Sequence, residues 1–132
     1  MAQSPILCAD EVVTFVSKWD IGSTGAHTKT SGFPGTGFTG VARDSAGNYT
    51  ITFARGMPVG GLVDLRIQHW SQVTVEPLIC APLENEVVAE TAGAAMTAGY
   101  EAWVIDETAA ATELPSGDQV TITAVFLKTK GT

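Results

Sequence analysis

His27 and His69 are the two histidines of the chain, and hydrolytic chemistry near neutral pH would have to be built around one of them. His27 stands in a glycine-rich stretch with Asp20 and Ser23 nearby in sequence, but no strained nucleophile turn surrounds the serine. His69 alternates with Val63, Leu65 and Ile67. That spacing puts it on the apolar face of a strand and predicts a satisfied, partly buried imidazole rather than a base offered to substrate. Asp106 and Glu107 are adjacent and would point to opposite sides of a strand, whereas paired-carboxylate chemistry needs two groups facing each other across a cleft. Cys8 and Cys80 form no C-x-x-C pair and have no histidine at metal-ligand spacing, so they read as small reduced hydrophobes. No catalytic residue, metal ligand or cofactor site is nominated, and no enzymatic activity is expected.

Three further features look chemical. Gly35, Gly37 and Gly40 match G-x-G-x-x-G, but a loop precedes them and a strand pattern follows. Phosphate binding needs a strand before the motif and a helix N-terminus after it, so a plain glycine-rich connection is expected. Asn48-Tyr49-Thr50 is a formal glycosylation acceptor, yet Met1 to Asp10 lacks the basic start and apolar core of a secretory signal, so Asn48 is read as a turn residue. Trp19, Trp70 and Trp103 each lie in or beside a strand. They could stack against sugars, although core or interface packing is the default for such rings.

The elements that must position these residues are strands. Short apolar alternations separated by Gly, Pro, Asn and Ser clusters predict strands near Val12–Trp19, Phe38–Asp44, Asn48–Phe53, Leu62–Trp70, Val73–Val75, Glu86–Thr91, Tyr100–Ile105 and Gln119–Lys128. Gly47 serves the turn of a hairpin closed by Tyr49, Ile51 and Phe53. Gly22 to Phe38 reads as a loop, and Ala92 to Gly99 as a helical turn or a loop. The expected fold is all-β: a single-domain β-sandwich, jelly-roll-like, or a small barrel, with about seven or eight short strands. Residues 1–10 form an N-terminal arm and 11–132 the sandwich domain. Phe15, Tyr49, Ile51, Phe53, Leu65, Ile67, Val104, Ile122 and Phe126 are the expected core.

The net charge of −7 is unevenly spread, because no Lys or Arg occurs between Ile67 and Leu127. That half of the chain would repel a phosphate backbone, so nucleic-acid binding is not expected. No apolar run approaches the roughly 20 residues of a membrane-spanning helix, and no membrane association is expected. With 45% hydrophobic and 16% charged residues, the chain carries fewer charges than the usual ~25%. Part of its apolar surface should therefore be covered by neighbours. The last strand points the same way, with Val120, Ile122, Ala124 and Phe126 on one face and Val125 and Leu127 on the other.

The phrases Gly40-Val41-Ala42-Arg43-Asp44, Gly47-Asn48-Tyr49-Thr50-Ile51-Thr52-Phe53 and Ser116-Gly117-Asp118-Gln119-Val120-Thr121-Ile122 together resemble small structural proteins of tailed bacteriophages. The resemblance implies a capsid decoration, or cement, protein: a β-rich virion component, often a homotrimer, that binds the major capsid protein after synthesis in the host cytoplasm. It implies no catalytic residues. Pro5, Ile6 and Leu7 of the arm are the expected partner contacts, and Lys18, Lys29, Arg43, Arg55, Arg66, Lys128 and Lys130 could mark the docked side. A ligand- or carbohydrate-binding module of a phage fibre or tail is the alternative.

Overall fold

The computed structural model describes residues 10–129 apart from 34, 58–60, 73–77 and 105–109. Eight strands occur among them: β1 (Asp10–Ile21), β2 (His27–Lys29), β3 (Phe38–Ser45), β4 (Asn48–Phe53), β5 (Leu62–Trp70), β6 (Leu78–Val88), β7 (Thr97–Val104) and β8 (Gln119–Thr129). They form two antiparallel four-stranded sheets, a first in the order β2-β1-β8-β5 and a second in the order β3-β4-β7-β6. The sheets pack face to face as a β-sandwich. Phe126 of the first meets Phe53 of the second edge to face, with ring centroids 5.4 Å apart, and Phe15 closes on Phe126 at 6.0 Å.

Alternation decides which side chains enter this core. Tyr49, Ile51 and Phe53 of β4 and Val120, Ile122, Ala124 and Phe126 of β8 are buried. Leu65 and Ile67 are buried too, while Phe15 and Val104 pack against the cluster from partly covered positions. All nine expected core residues thus belong to the core or its margin.

The 38–53 hairpin forms as expected, and its turn depends on Gly47. This glycine has φ +78°, and a Cβ there would lie 2.5 Å from the Thr112 backbone nitrogen. The G-x-G-x-x-G stretch leads into β3, not into a helix. Its central Gly37, at φ +94°, lets the backbone lie against the Phe15 ring.

Four expectations change. The stretch from Gly22 to Phe38 contains a strand, β2, which pairs with the end of β1 through Trp19↔Lys29 and Ile21↔His27. Three residues are too few to show a period. Where Glu86–Thr91 was expected as a strand, β6 instead runs from Leu78 to Val88, and its pairing with β7 jumps from Leu83↔Gly99 to Val88↔Thr97. Four residues of β6 therefore bulge opposite Ala98, and this breaks the alternation that marks a strand in sequence. Ala92 to Gly99 holds no helix: Thr91 and Ala94 close a turn, and β7 has begun by Thr97. Val63 does not share the inward face of Leu65 and Ile67 but is 57% exposed, because a register shift between Leu62 and Asp64 reverses side-chain sense there. The expected strand Val73–Val75 lies outside the described residues.

Candidate functional site

His69 is built into a buried polar cluster and His27 into a part-buried one. His69 projects inward from β5, and its Nε2 donates to Asp118 Oδ2 at 2.7 Å while its Nδ1 accepts from the Leu78 N–H at 2.9 Å. Asp118 sits on the turn before β8 and also accepts from the Gln72 N–H at 2.8 Å. The side chains of this pair have no solvent exposure. The expectation of a satisfied histidine holds, and its partner is an aspartate that the sequence marked only as a turn residue. With one ring nitrogen on Asp118 and the other on a backbone amide, neither is left for a substrate.

The second cluster lies where β2, β4, β7 and the segment before β8 meet. His27 Nδ1 donates to the Gly25 carbonyl at 2.8 Å, and Nε2 accepts from the Tyr100 hydroxyl. The His27 ring packs on Tyr49 at 4.8 Å, and Tyr49 stacks on Tyr100 at 5.0 Å. The Tyr49 hydroxyl accepts from the Leu114 N–H at 2.9 Å and donates to Glu113 Oε1 at 3.3 Å. Glu113 in turn holds Arg43 in a fork, with Nε–O distances of 2.9 Å and an Nη2–Oε2 distance of 2.8 Å. Burial lowers the His27 pKa to about 4 and raises Tyr49 to about 12. Ser23 and Asp20 take no part; Asp20 accepts from Thr30 and Gln119 instead. The arrangement is a clamp that joins the two sheets at one end.

The remaining nominated residues disperse. Trp19 is core, with its indole N–H on Ser17 Oγ at 2.6 Å. Trp70 lies on the outer face of the first sheet, and Trp103 pairs with Ile79 in the second. The three rings make no common platform. Asn48 donates to Ser45 and Ala46 as a turn residue does. Cys80 is a partly buried free thiol whose pKa burial pushes up to about 12. Among the described residues, no three His, Cys, Asp or Glu side chains gather as a metal site. Pro5, Ile6, Leu7, Cys8, Asp106 and Glu107 lie outside the described residues.

What the sheets do present is two unlike outer faces. On the first, Val12 pairs with Leu127, Thr14 with Val125, Val16 with Thr123 and Lys18 with Thr121. Val12 is 64% and Val16 40% exposed, and Trp70 is 42% exposed. The Trp70 indole lies across β8, donating to Thr121 Oγ1 at 2.7 Å with Lys18 Nζ 5.8 Å from the ring centroid. An apolar strip thus runs along β1 and β8, flanked by Lys18 and Arg66. On the second sheet, Asp44, Glu86 and Glu101 face outward among small residues such as Ala42, Thr50 and Gly99, and the apolar Ile79, Trp103 and Val88 share that face near β6. The basic residues expected on one side are divided: Lys18 and Arg66 belong to the first sheet, while Arg43 and Arg55 pair with Glu113 and Glu90 beside the second. The part of the strip on β8, Val125 and Leu127, was legible in the sequence; that Val12, Val16 and Trp70 lie beside it depends on register.

No protein-family model matches the chain. Comparison with curated proteins and with solved structures likewise gave no match. The fold and its faces define an all-β sandwich with two unlike outer surfaces.

Proposed function

We propose that this protein is a non-enzymatic virion component that decorates and stabilises a capsid shell, docking the outer face of its first sheet onto the major capsid protein. The apolar strip of Val12, Val16, Val125 and Leu127, capped by Trp70, carries this reading. Contiguous exposed apolar side chains on a regular sheet mark a surface that is covered in use. The second sheet, with Asp44, Glu86 and Glu101 facing outward, would then face solvent. The low charged fraction and the phage-like hairpin and Ser116–Ile122 phrases support the same reading. A homotrimer would match the local threefold points of an icosahedral lattice. Binding only to the assembled shell would stabilise it by mass action. No helix among the described residues is long and apolar enough to cross a membrane.

The exposed Trp70 ring favours one alternative, a carbohydrate-binding module of a fibre or tail. Its indole N–H is already tied to Thr121, however, and Lys18 stands near one ring face. The test is co-sedimentation with shells assembled from the major capsid protein of the same virus, together with the shells' melting temperature. Wild type should co-sediment and raise shell melting, and Val16→Lys should weaken both while leaving its own melting nearly unchanged. Shells that neither bind the protein nor melt higher with it would overturn the reading, and oligosaccharide binding lost in Trp70→Ala would establish the alternative.

A further inference from the structure

β2 is the shortest of the described strands, and its ladder to β1 consists of three pairs, Trp19↔Lys29, Asp20↔Thr28 and Ile21↔His27. So short a ladder holds little by itself. The turn that leads into it is strained. Thr24 sits at φ 58° and ψ 25°, a left-handed conformation that a β-branched residue avoids, and its hydroxyl reaches only the neighbouring Ser23 carbonyl. Such a conformation persists only where the surroundings impose it. Ser23, Thr24, Ala26, Thr28 and Lys29 are exposed, while Gly25 and His27 turn inward. Apart from the Lys29 Nζ bond to the Phe38 carbonyl at 2.8 Å, the hold on the second sheet runs through Gly25 and His27, against Glu113, Tyr49 and Tyr100.

His27 makes that hold depend on its protonation state. A carbonyl can only accept, so Nδ1 carries the ring proton on the Gly25 bond and Nε2 is the acceptor for the Tyr100 hydroxyl. A second proton on the ring would set an Nε2–H against the Tyr100 O–H. The hydroxyl would then have to turn its proton elsewhere inside the core, where Tyr100 has no solvent exposure. Nor do the facing groups supply a free counter-charge. Glu113, from the segment before β8, is held in the fork with Arg43 of β3 and accepts from Tyr49. Tyr49 of β4 and Tyr100 of β7 stack beneath the ring, and the neutral Cys80 thiol of β6 adjoins them. Asp20 of β1 is turned to Thr30 and Gln119. Burial accordingly lowers the His27 pKa to about 4.

We propose that Gly22–Thr30 is an acid-released strap: protonation of His27 frees this segment from β1 and from the second sheet, uncovering the stacked Tyr49 and Tyr100 rings while the rest of the sandwich stays folded. Lifting relaxes Thr24 and returns the imidazole to water. β1 keeps its ladder of eleven pairs with β8, so the first sheet survives the loss of β2. The lifted ring titrates near 6.5 and binds a proton that the closed form refuses, so acid favours lifting. Between pH 7 and 5 the lifted fraction should rise about 20-fold. The strap belongs to the isolated protein and stands whether or not the sandwich decorates a shell.

The test is amide hydrogen exchange of the full-length protein at pH 7 and 5, read as protection factors so that the intrinsic pH dependence of exchange cancels. The amides of β2 and the Thr30 N–H, bonded to the Lys18 carbonyl, report the strap, and those of β8 report unfolding of the whole domain. Strap amides should be less protected than β8 amides, and their exchange should not respond to urea below the unfolding transition. Their protection should fall about 20-fold between pH 7 and 5. In His27→Gln the strap should already be less protected at pH 7, with the fall on acidification gone. Thr24→Asn, which tolerates positive φ, should raise strap protection at both pH values and keep the pH dependence. Strap amides as protected and as urea-sensitive as those of β8 would mean that the segment opens only with the whole fold, and would overturn the inference. A local opening whose pH dependence survives in His27→Gln would overturn it as well.

Discussion

Lowering the pH from 7 to 5 should destabilise the fold through His27. Its Nδ1–H is committed to the Gly25 carbonyl and its Nε2 to the Tyr100 hydroxyl, so the largely covered ring is held neutral and its pKa falls to about 4. In the unfolded chain the same group titrates near 6.5. Below that pH the unfolded state binds a proton that the folded state refuses. Stability is fully present above about 6.5 and is lost as pH falls towards 4. Integrating between pH 7 and 5 gives a loss of about 2 kcal/mol from this residue. For a domain of this size that is a fall in melting temperature of roughly 6–10 °C. The assay is thermal and urea unfolding at pH 7, 6 and 5 for wild type and His27→Gln. The variant is less stable at pH 7 but has a flatter profile, and every other titrating group is common to both proteins. Equal losses in the two proteins would refute the reasoning, as would an imidazole NMR titration of folded His27 centred near 6.5.

Asp118→Ala leaves the His69 Nε2–H and the Gln72 N–H without their acceptor inside the protein. It should cost about 3 kcal/mol or more by urea unfolding, whereas Asp44→Ala, on the exposed end of β3, should cost under about 1 kcal/mol. Gly47→Ala and Gly56→Ala both force an alanine into positive φ, but only at Gly47 does the new Cβ strike backbone. Gly56→Ala should lose about 1 kcal/mol and Gly47→Ala clearly more, and equal melting temperatures for the two would contradict the packing of Thr112 on the turn. In a Cys8→Ser background, Cys80 should react with iodoacetamide at pH 8 far more slowly than the unfolded protein does, because its thiol is held neutral by burial. Equal rates would refute that placement.

Sequence alone marked the all-β character, the 38–53 hairpin, the inward residues of β4 and β8, and Leu65 and Ile67 of β5. Period-two alternation is local and survives in any fold that buries one face of a sheet. It also marked His69 as inward, since the residue shared a period with Leu65 and Ile67. It could not supply Asp118 as the partner, because the two are 49 residues apart in the chain and meet only when β5 and β8 pair. The same holds for His27 and Tyr100, which come from different sheets. Local pattern also failed wherever the ladder slipped. The extra residue near Val63 and the four-residue bulge in β6 reverse or erase alternation, and bulges follow from pairing with a neighbouring strand that no short window contains. The two unlike outer faces are likewise products of tertiary structure: strand order decides which apolar side chains lie next to one another, and strand order is set by contacts distant in sequence.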